Sequence, residues 1–222
     1  MAVSRTYGDM QFRIADELGG RTDLLANSTG MTSSPIQIAI QDAIGYYINE
    51  RFYFNEVRTP SAFSTVVGQE FYTSTDWSQI PYLQHIDKLS ILVSANRYYM
   101  VGRTPQYMED ISINPNNTGV PIDYSYYNYQ LRFYPIPNGV YPVNFLGTKT
   151  FPELVNASDT NPWMNEAEQM IRTTAEWFIL RDTMKDDIGA ARMERAALSA
   201  YSSVKGVLMT RMASLNMRPT YF

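Results

Sequence analysis

Apolar positions recur along this chain with two different periods, and the places where the period changes divide it. From about Asp9 to Leu18, Met10, Ile14 and Leu18 share a helical face, and Gly19-Gly20 stop the helix. Asp23 to Thr32 is polar, and the whole connection from Gly20 to Ser34 is longer than usual. Ser33-Ser34-Pro35 then supply an N-cap and a first-turn proline, and Ile36, Ile40, Ile44, Tyr47, Ile48 and Phe52 form a stripe predicting a helix from Pro35 to Phe52. After Tyr53 the period shortens. Phe54 to Phe63, Glu70 to Thr73, Ile86 to Val93 and Arg97 to Val101 read as strands, with turns at Val67-Gly68 and Ser94-Ala95-Asn96. Thr104 to Ile111 is a short helix, capped by Thr104 and started by Pro105.

Gly119 to Lys149 (GVPIDYSYYNYQLRFYPIPNGVYPVNFLGTK) crowds aromatic and β-branched residues at nearly period-two spacing. Broken by Pro137-Asn138-Gly139, it predicts a β-hairpin or meander. Asn161-Pro162 reopens helical structure. Trp163, Ala167, Met170, Ile171, Thr174, Trp177 and Phe178 share a face as far as about Met184. Lys185-Asp186-Asp187 is a break, and a last helix is predicted from about Ile188 to Leu215, before Pro219 forces an extended tail.

Isolated helices of these lengths are marginal in water, so the two terminal pairs are expected to pack together. The predicted fold is α+β: a four-helix bundle formed by N- and C-terminal helix pairs, with an inserted antiparallel β-rich, sandwich-like unit. The expected division is residues 1–53 and 156–215 for the bundle, 54–155 for the insertion, and 216–222 for an extended C-terminal tail.

Composition narrows the chemistry. The 222 residues contain no cysteine and one histidine, His85, which removes thiolate chemistry and nearly removes zinc and the common acid–base catalysts. Phosphate-cradling glycine loops and the nucleophile elbow are missing from the sequence. The adjacent acidic pairs, Asp186-Asp187 and Glu109-Asp110, lack the separation that a glycosidase needs and read as solvated helix ends. His85 reads as a hydrogen-bonded structural residue. No enzyme activity, cofactor or metal is expected. No apolar run approaches eighteen residues and the N-terminal stretch has no apolar h-region, so neither a membrane span nor a signal peptide is expected.

Charge and aromatic placement point to interfaces. The net charge is −4, yet no acidic residue follows Glu194, leaving Arg195, Lys205, Arg211 and Arg218 unbalanced. That end suits an acidic partner. Most of the seventeen tyrosines fall between Phe54 and Thr150. Tyrosine suits protein interfaces, sheet packing, or stacking on bases and sugars. Over residues 54–150, six basic residues (Arg58, Lys88, Arg97, Arg103, Arg132, Lys149) face seven acidic ones (Glu56, Glu70, Asp76, Asp87, Glu109, Asp110, Asp123), so no basic groove is evident. The terminal RPTYF ends in two aromatics, unlike a solubilising tail.

The ordered series of segments resembles the head-to-tail connector (adaptor) proteins of tailed bacteriophages over nearly the whole length. The resemblance runs through SRTYGDMQFRIADELGGRTDL, PIQIAIQDAIGYYINERFYFNE, the "GxPxxY" and "YPxP" turns of GVPIDYSYYNYQLRFYPIPNGVYPVNFLGTKTFPEL, and DTNPWMNEAEQMIRTTAEWFILRDTMKDD. It implies a structural virion protein at the neck, below the capsid portal vertex and assembled in the host cytoplasm. It implies a homo-oligomeric ring, generally dodecameric, that binds the portal, extends the DNA channel and offers a platform to nozzle or tube proteins. Genomic DNA would pass without sequence-specific binding, and no membrane is involved. By the same resemblance, portal binding would fall to Arg211, Leu215, Arg218, Pro219, Thr220, Tyr221 and Phe222. The subunit or tail interface would fall to Tyr124, Tyr126, Tyr127, Tyr129 and Tyr134, and the Gly20–Ser34 loop would be an arm ordered in the ring. The alternative is a carbohydrate- or nucleic-acid-binding β-module on a helical base.

Overall fold

The computed structural model describes residues 5–27, 32–114 and 116–215, with side chains beyond residue 210 left aside. The fold is α+β and separates into two compact units: Met1–Phe54 with Phe151–Phe222, and Asn55–Thr150. Helices α1 (Tyr7–Glu17), α2 (Pro35–Tyr47), α4 (Pro162–Asn165), α5 (Glu168–Phe178) and α6 (Asp187–Leu215) build the first unit; α3 (Pro105–Ile111) belongs to the second.

Local sequence sets the helix starts. Thr6 and Asp9 form a reciprocal capping box at α1, and Ser34 and Gln37 form another at α2. The side chains of Thr104 and Asn161 accept backbone N–H bonds from Tyr107 and Trp163, each followed by a first-turn proline. Gly19 and Gly20 adopt φ of 85° and 76° just past α1, conformations that a Cβ would strain. Two helical expectations need correction. The second helix ends at Tyr47, not Phe52, and the turn beyond it lets Phe52 drop into the core against Phe54 and Trp163. The helix predicted to run to Met184 is interrupted at Ala167 (φ −124°, ψ 19°) and finishes as a π-helical segment, Ile179–Met184. On α6 the buried stripe is Ala190, Ala197, Ala200 and Leu208, while Ile188 and Leu198 face solvent.

The helical core joins Tyr7, Met10 and Ile14 of α1, Ile36 and Ile40 of α2, and Trp163, Met170 and Ile171 of α4 and α5. Leu24, in a 3-10 turn at Thr22–Leu25, is buried with them. The Gly20–Ser34 loop is therefore packed at Leu24; its residues 28–31 lie outside the described residues.

The second unit contains β1 (Glu56–Ser64), β2 (Phe71–Tyr72), β3 (Leu83–Val93), β4 (Asn96–Gly102), β5 (Thr118–Gly119), β6 (Asp123–Tyr127), β7 (Gln130–Tyr134), β8 (Ile136–Pro137) and β9 (Pro142–Lys149). Seven of them make one sheet in the order β1-β9-β3-β4-β6-β7-β2, and β5 pairs with β8. The sheet is mixed instead of wholly antiparallel, because α3 carries the chain across so that β6 enters parallel to β4. It curls instead of forming a sandwich. Phe63 on the first strand meets Tyr72 on the last at a ring separation of 5.3 Å, with Phe133 stacked beside them. The tyrosine-rich hairpin turns at Asn128-Tyr129 (φ 49° and 59°), the paired positive-φ geometry of a tight two-residue turn. Pro137-Asn138-Gly139 instead leads from β8 toward β9.

Gly147 lies where β9 crosses β3, and a Cβ there would overlap the carbonyl oxygen of His85. Gly147→Ala is expected to cost about 3 kcal/mol or more in urea unfolding, as backbone overlap forces β3 and β9 apart. Gly206, inside α6 with nothing within 4 Å of its added Cβ, is the matched control. Gly206→Ala should gain about 0.5–1 kcal/mol through helix propensity.

Candidate interaction surfaces

The residues expected to carry interfaces are distributed unevenly. Arg211 and Leu215 fall in the last turns of α6, at positions whose side chains are not described. Arg218, Pro219, Thr220, Tyr221 and Phe222 lie outside the described residues. In the hairpin, Tyr124 and Tyr134 are buried, each with 8% exposure. Tyr126 is half-buried and donates its hydroxyl to the Ile80 carbonyl at 2.8 Å. Tyr127 and Tyr129, at and beside the turn, stand 70% and 65% exposed. The curl of the sheet explains the split, since it covers the strand bodies and leaves the tip in water.

The polar candidates have local roles. His85 is exposed, with Nε2 at 3.4 Å from Asp87. Asp186 accepts the Gly189 N–H at the start of α6. Glu109 pairs with Arg132, which also bonds Glu70 and the Ser112 hydroxyl and so fastens α3 to β7. Among the described residues no group of three or more His, Cys, Asp or Glu is placed to hold a metal ion. No described helix is long and apolar enough to cross a membrane.

The helical unit carries a recess of about 390 Å³ that periodicity did not single out, walled by Tyr46, Tyr47, Trp177, Leu198 and Tyr201 with Glu50 and Glu194. Its aromatic wall is preassembled. Tyr46 meets Trp177 edge-on at 6.2 Å, and Tyr47 stacks on Tyr201 at 5.6 Å. Arg181 lies over both Trp177 and Phe178. Lys205 bonds Glu50 at 2.6 Å and sits over Phe52 and Tyr201. Tyr46 remains 60% exposed, so the recess offers aromatic surface with an acidic rim. The sequence signal was the Tyr46-Tyr47 pair, of which only Tyr47 fitted the helical stripe.

Beneath α1 and α5 lies a buried charge cluster. Arg172 bonds Glu17, Glu168 (3.1 Å) and Glu176 (3.3 Å), and Glu168 also pairs with Arg5 and Arg13. Burial, the hydrogen bond to Glu17 and its charge push the Glu176 carboxyl up to about 8. Glu17 moves the other way. Its partial burial works against ionisation, but the hydrogen bonds to Glu176 and Arg13 and the charges of Arg172 and Arg13 hold it below the ordinary range. Of the two carboxyls, Glu176 is therefore the one that holds its proton to higher pH.

A family model described as SU10 adaptor protein matches residues 5–219, nearly the whole chain. Comparison with curated proteins gives no match.

The proton held by Glu176 gives the helical unit a definite pH signature. Glu176 keeps in the folded state a proton that the unfolded chain releases above its ordinary value of 4.5. Its contribution is therefore full below that value and is lost as pH rises through about 8. Glu17 acts oppositely, its contribution disappearing as pH falls below the ordinary carboxylate range. Thermal melts should thus show greatest stability near mildly acidic pH and a decline toward pH 9, on the order of 2–4 kcal/mol. Glu176→Gln should flatten that decline; an unchanged slope would remove Glu176 as its source.

Proposed function

Since this chain belongs to the SU10 adaptor protein family, a phage head-tail adaptor family, we propose that it forms a homo-oligomeric ring, dodecameric in number, that binds the portal. In this reading the ring prolongs the DNA channel and presents a platform to the next tail proteins, at the neck of the virion. The observation that carries the proposal is the family match across residues 5–219. The two-unit architecture supports it, because a ring subunit needs rigid elements and exposed aromatic surface more than a reactive centre.

Portal attachment is assigned to the C-terminal segment, with Tyr221 and Phe222 as pocket anchors and Arg211 and Arg218 as ionic partners. The unbalanced positive charge after Glu194 supports this assignment. Of the five hairpin tyrosines expected at an interface, Tyr127 and Tyr129, exposed at the tip, are the ones placed to meet a neighbouring subunit or tail protein. The helical pairs are proposed to act as the bundle that makes ring contacts, with the aromatic recess at Tyr46 and Trp177 as one contact surface. Assembly of the ring is proposed to take place in the host cytoplasm.

Cosedimentation with purified portal rings tests the proposal. The full chain should sediment with portal, and a chain lacking residues 215–222 should remain in the supernatant with an unchanged circular dichroism spectrum. Sedimentation of the truncated chain would remove the tail anchor. Failure of the full chain to sediment would remove portal binding itself.

A further inference from the structure

The sheet of the second unit is nearly parted beside β4. β3 follows β4 along Asn96–Met100, but β6 pairs with it only at Val101↔Asp123 and Gly102↔Tyr124. The parity of the ladder decides which backbone groups this leaves open. Ser94 and Ala95, at φ 48° and 68°, make a tight two-residue turn that pairs Val93 with Asn96. Asn96, Tyr98 and Met100 therefore direct their N–H and C=O groups at β3, and Arg97, Tyr99 and Val101 direct theirs the other way. The Val101 N–H accordingly donates to the Ile122 carbonyl at 2.8 Å. One further step of that parallel ladder would bring the Ile122 N–H to the Tyr99 carbonyl. That N–H goes to the Tyr134 carbonyl instead, at 3.0 Å, and the residue before it is Pro121, which has no N–H. The N–H and C=O groups of Arg97 and Tyr99 are thus left without a backbone partner among the described residues.

An open edge is a template for another strand unless something blunts it. The terminal strand β1 is blunted, since it carries Pro60 and a bulge at Ser61 (φ 51°). Asn96–Met100 has neither device, and residues 96–99 are all exposed. The side chains on the two faces of this edge differ in kind. Arg97 and Tyr99 lie on the same face as Lys88, around a recess that no carboxylate lines. Arg97 and Lys88 form no hydrogen bond or ion pair with any described residue; Lys88 only rests 5.6 Å over the Tyr99 ring. Tyr98 points to the opposite face, toward the side on which Met100 is buried, and its ring is half exposed. A strand added here sets alternate side chains beside unpaired cations and the intervening ones beside a tyrosine ring. Edge-to-edge pairing of two copies would instead bring two Arg97 side chains together with no acid between them, which like-charge repulsion opposes.

We propose that the open edge at Arg97–Tyr99 accepts an extended peptide segment of a partner protein as an added strand. The segment carries acidic side chains on the Arg97 face and apolar ones on the Tyr98 face. Main-chain hydrogen bonds to Arg97 and Tyr99 hold it, and the side-chain alternation selects it. The site rests on the open backbone and the unpaired cations, and it does not require the adaptor function proposed above.

The test uses the full chain and a synthetic hexapeptide alternating glutamate and valine, followed by amide hydrogen exchange and by anisotropy of a labelled copy. In the free chain the Tyr98 and Met100 amides should be protected by β3 while those of Arg97 and Tyr99 exchange freely. Protection of all of them without peptide would close the edge and overturn the proposal. Adding the peptide should protect Arg97 and Tyr99. Tyr99→Pro removes an outward N–H without touching the β3 ladder and should weaken binding about fivefold, the effect of one main-chain hydrogen bond. Arg97→Ala should weaken it about threefold through the lost ion pair. Circular dichroism confirms that each variant is folded, and Arg97→Ala keeps the test decisive should Tyr99→Pro not fold. No binding by the parent up to about 1 mM peptide, or equal binding by a folded Tyr99→Pro, would overturn the site. A peptide with the same residues in two blocks, glutamates then valines, binding as well as the alternating one would reduce the edge to a charged patch and overturn strand addition. Equal binding by Arg97→Ala, or by a lysine–valine peptide, would overturn the acidic assignment. None of these readings involves the portal, so this proposal and the portal reading fail separately.

Discussion

The helical unit depends on Arg172. Residues 55–150 intervene between its two halves, so the fold exists only if the N-terminal and C-terminal segments hold together. Arg172 on α5 reaches Glu17 on α1 while bonding Glu168 and Glu176 on its own helix, and Glu168 in turn holds Arg5 and Arg13. Breaking a buried ionic cluster by removing one partner typically costs about 3–5 kcal/mol, because the remaining charges stay desolvated. Backbone bonds reinforce the same seam: the Tyr7 and Gly8 N–H groups donate to the carbonyls of Asp159 and Ala157. Apolar burial of Ile14 against Met170 and Ile171 then has a fixed geometry to fill.

The β unit solves a similar closure problem by different means. Its sheet curls until Phe63 on one edge meets Tyr72 on the other, and the rings of Phe133, Trp77 and Phe145 fill the interior between them. Arg132 plays the part that Arg172 plays in the helical unit, tying β7 to α3 through Glu109 and Ser112 and to Glu70 ahead of β2. Arg58, Lys88 and Arg97 make no such tie with any described residue. A balanced charge count over residues 54–150 concealed this, since balance says nothing about which charges are paired.

Local signals were the most legible part of the sequence. Ser34-Pro35, Thr104-Pro105 and Asn161-Pro162 announced helix starts that the structure realises through side-chain caps. The α+β class followed from the two periodicities. Tertiary choices were not legible. The turn at Asn128-Tyr129 places a tyrosine at positive φ, which no turn propensity suggests, and the parallel entry of β6 depends on how α3 crosses. Which tyrosines face inward depends on the curl: Tyr124 and Tyr134 are covered, whereas Tyr127 and Tyr129 are not. The aromatic recess at Tyr46 and Trp177 draws on α2, α5 and α6 together, so no single stretch of sequence displays it. The expected C-terminal anchor ends beyond the described residues.

These features suit a protein that works by being held and by holding others. Its charged clusters are spent on joining distant segments, its aromatic surface is exposed at the hairpin tip and the helical recess, and its family is a phage head-tail adaptor family. Electron cryomicroscopy of the intact virion neck tests this most directly. The adaptor account predicts a ring of density directly below the portal into which the helical unit and the curled sheet fit separately, with the C-terminal end of α6 directed at the portal. Density for this chain elsewhere in the virion, or a neck in which no ring fits either unit, would contradict it.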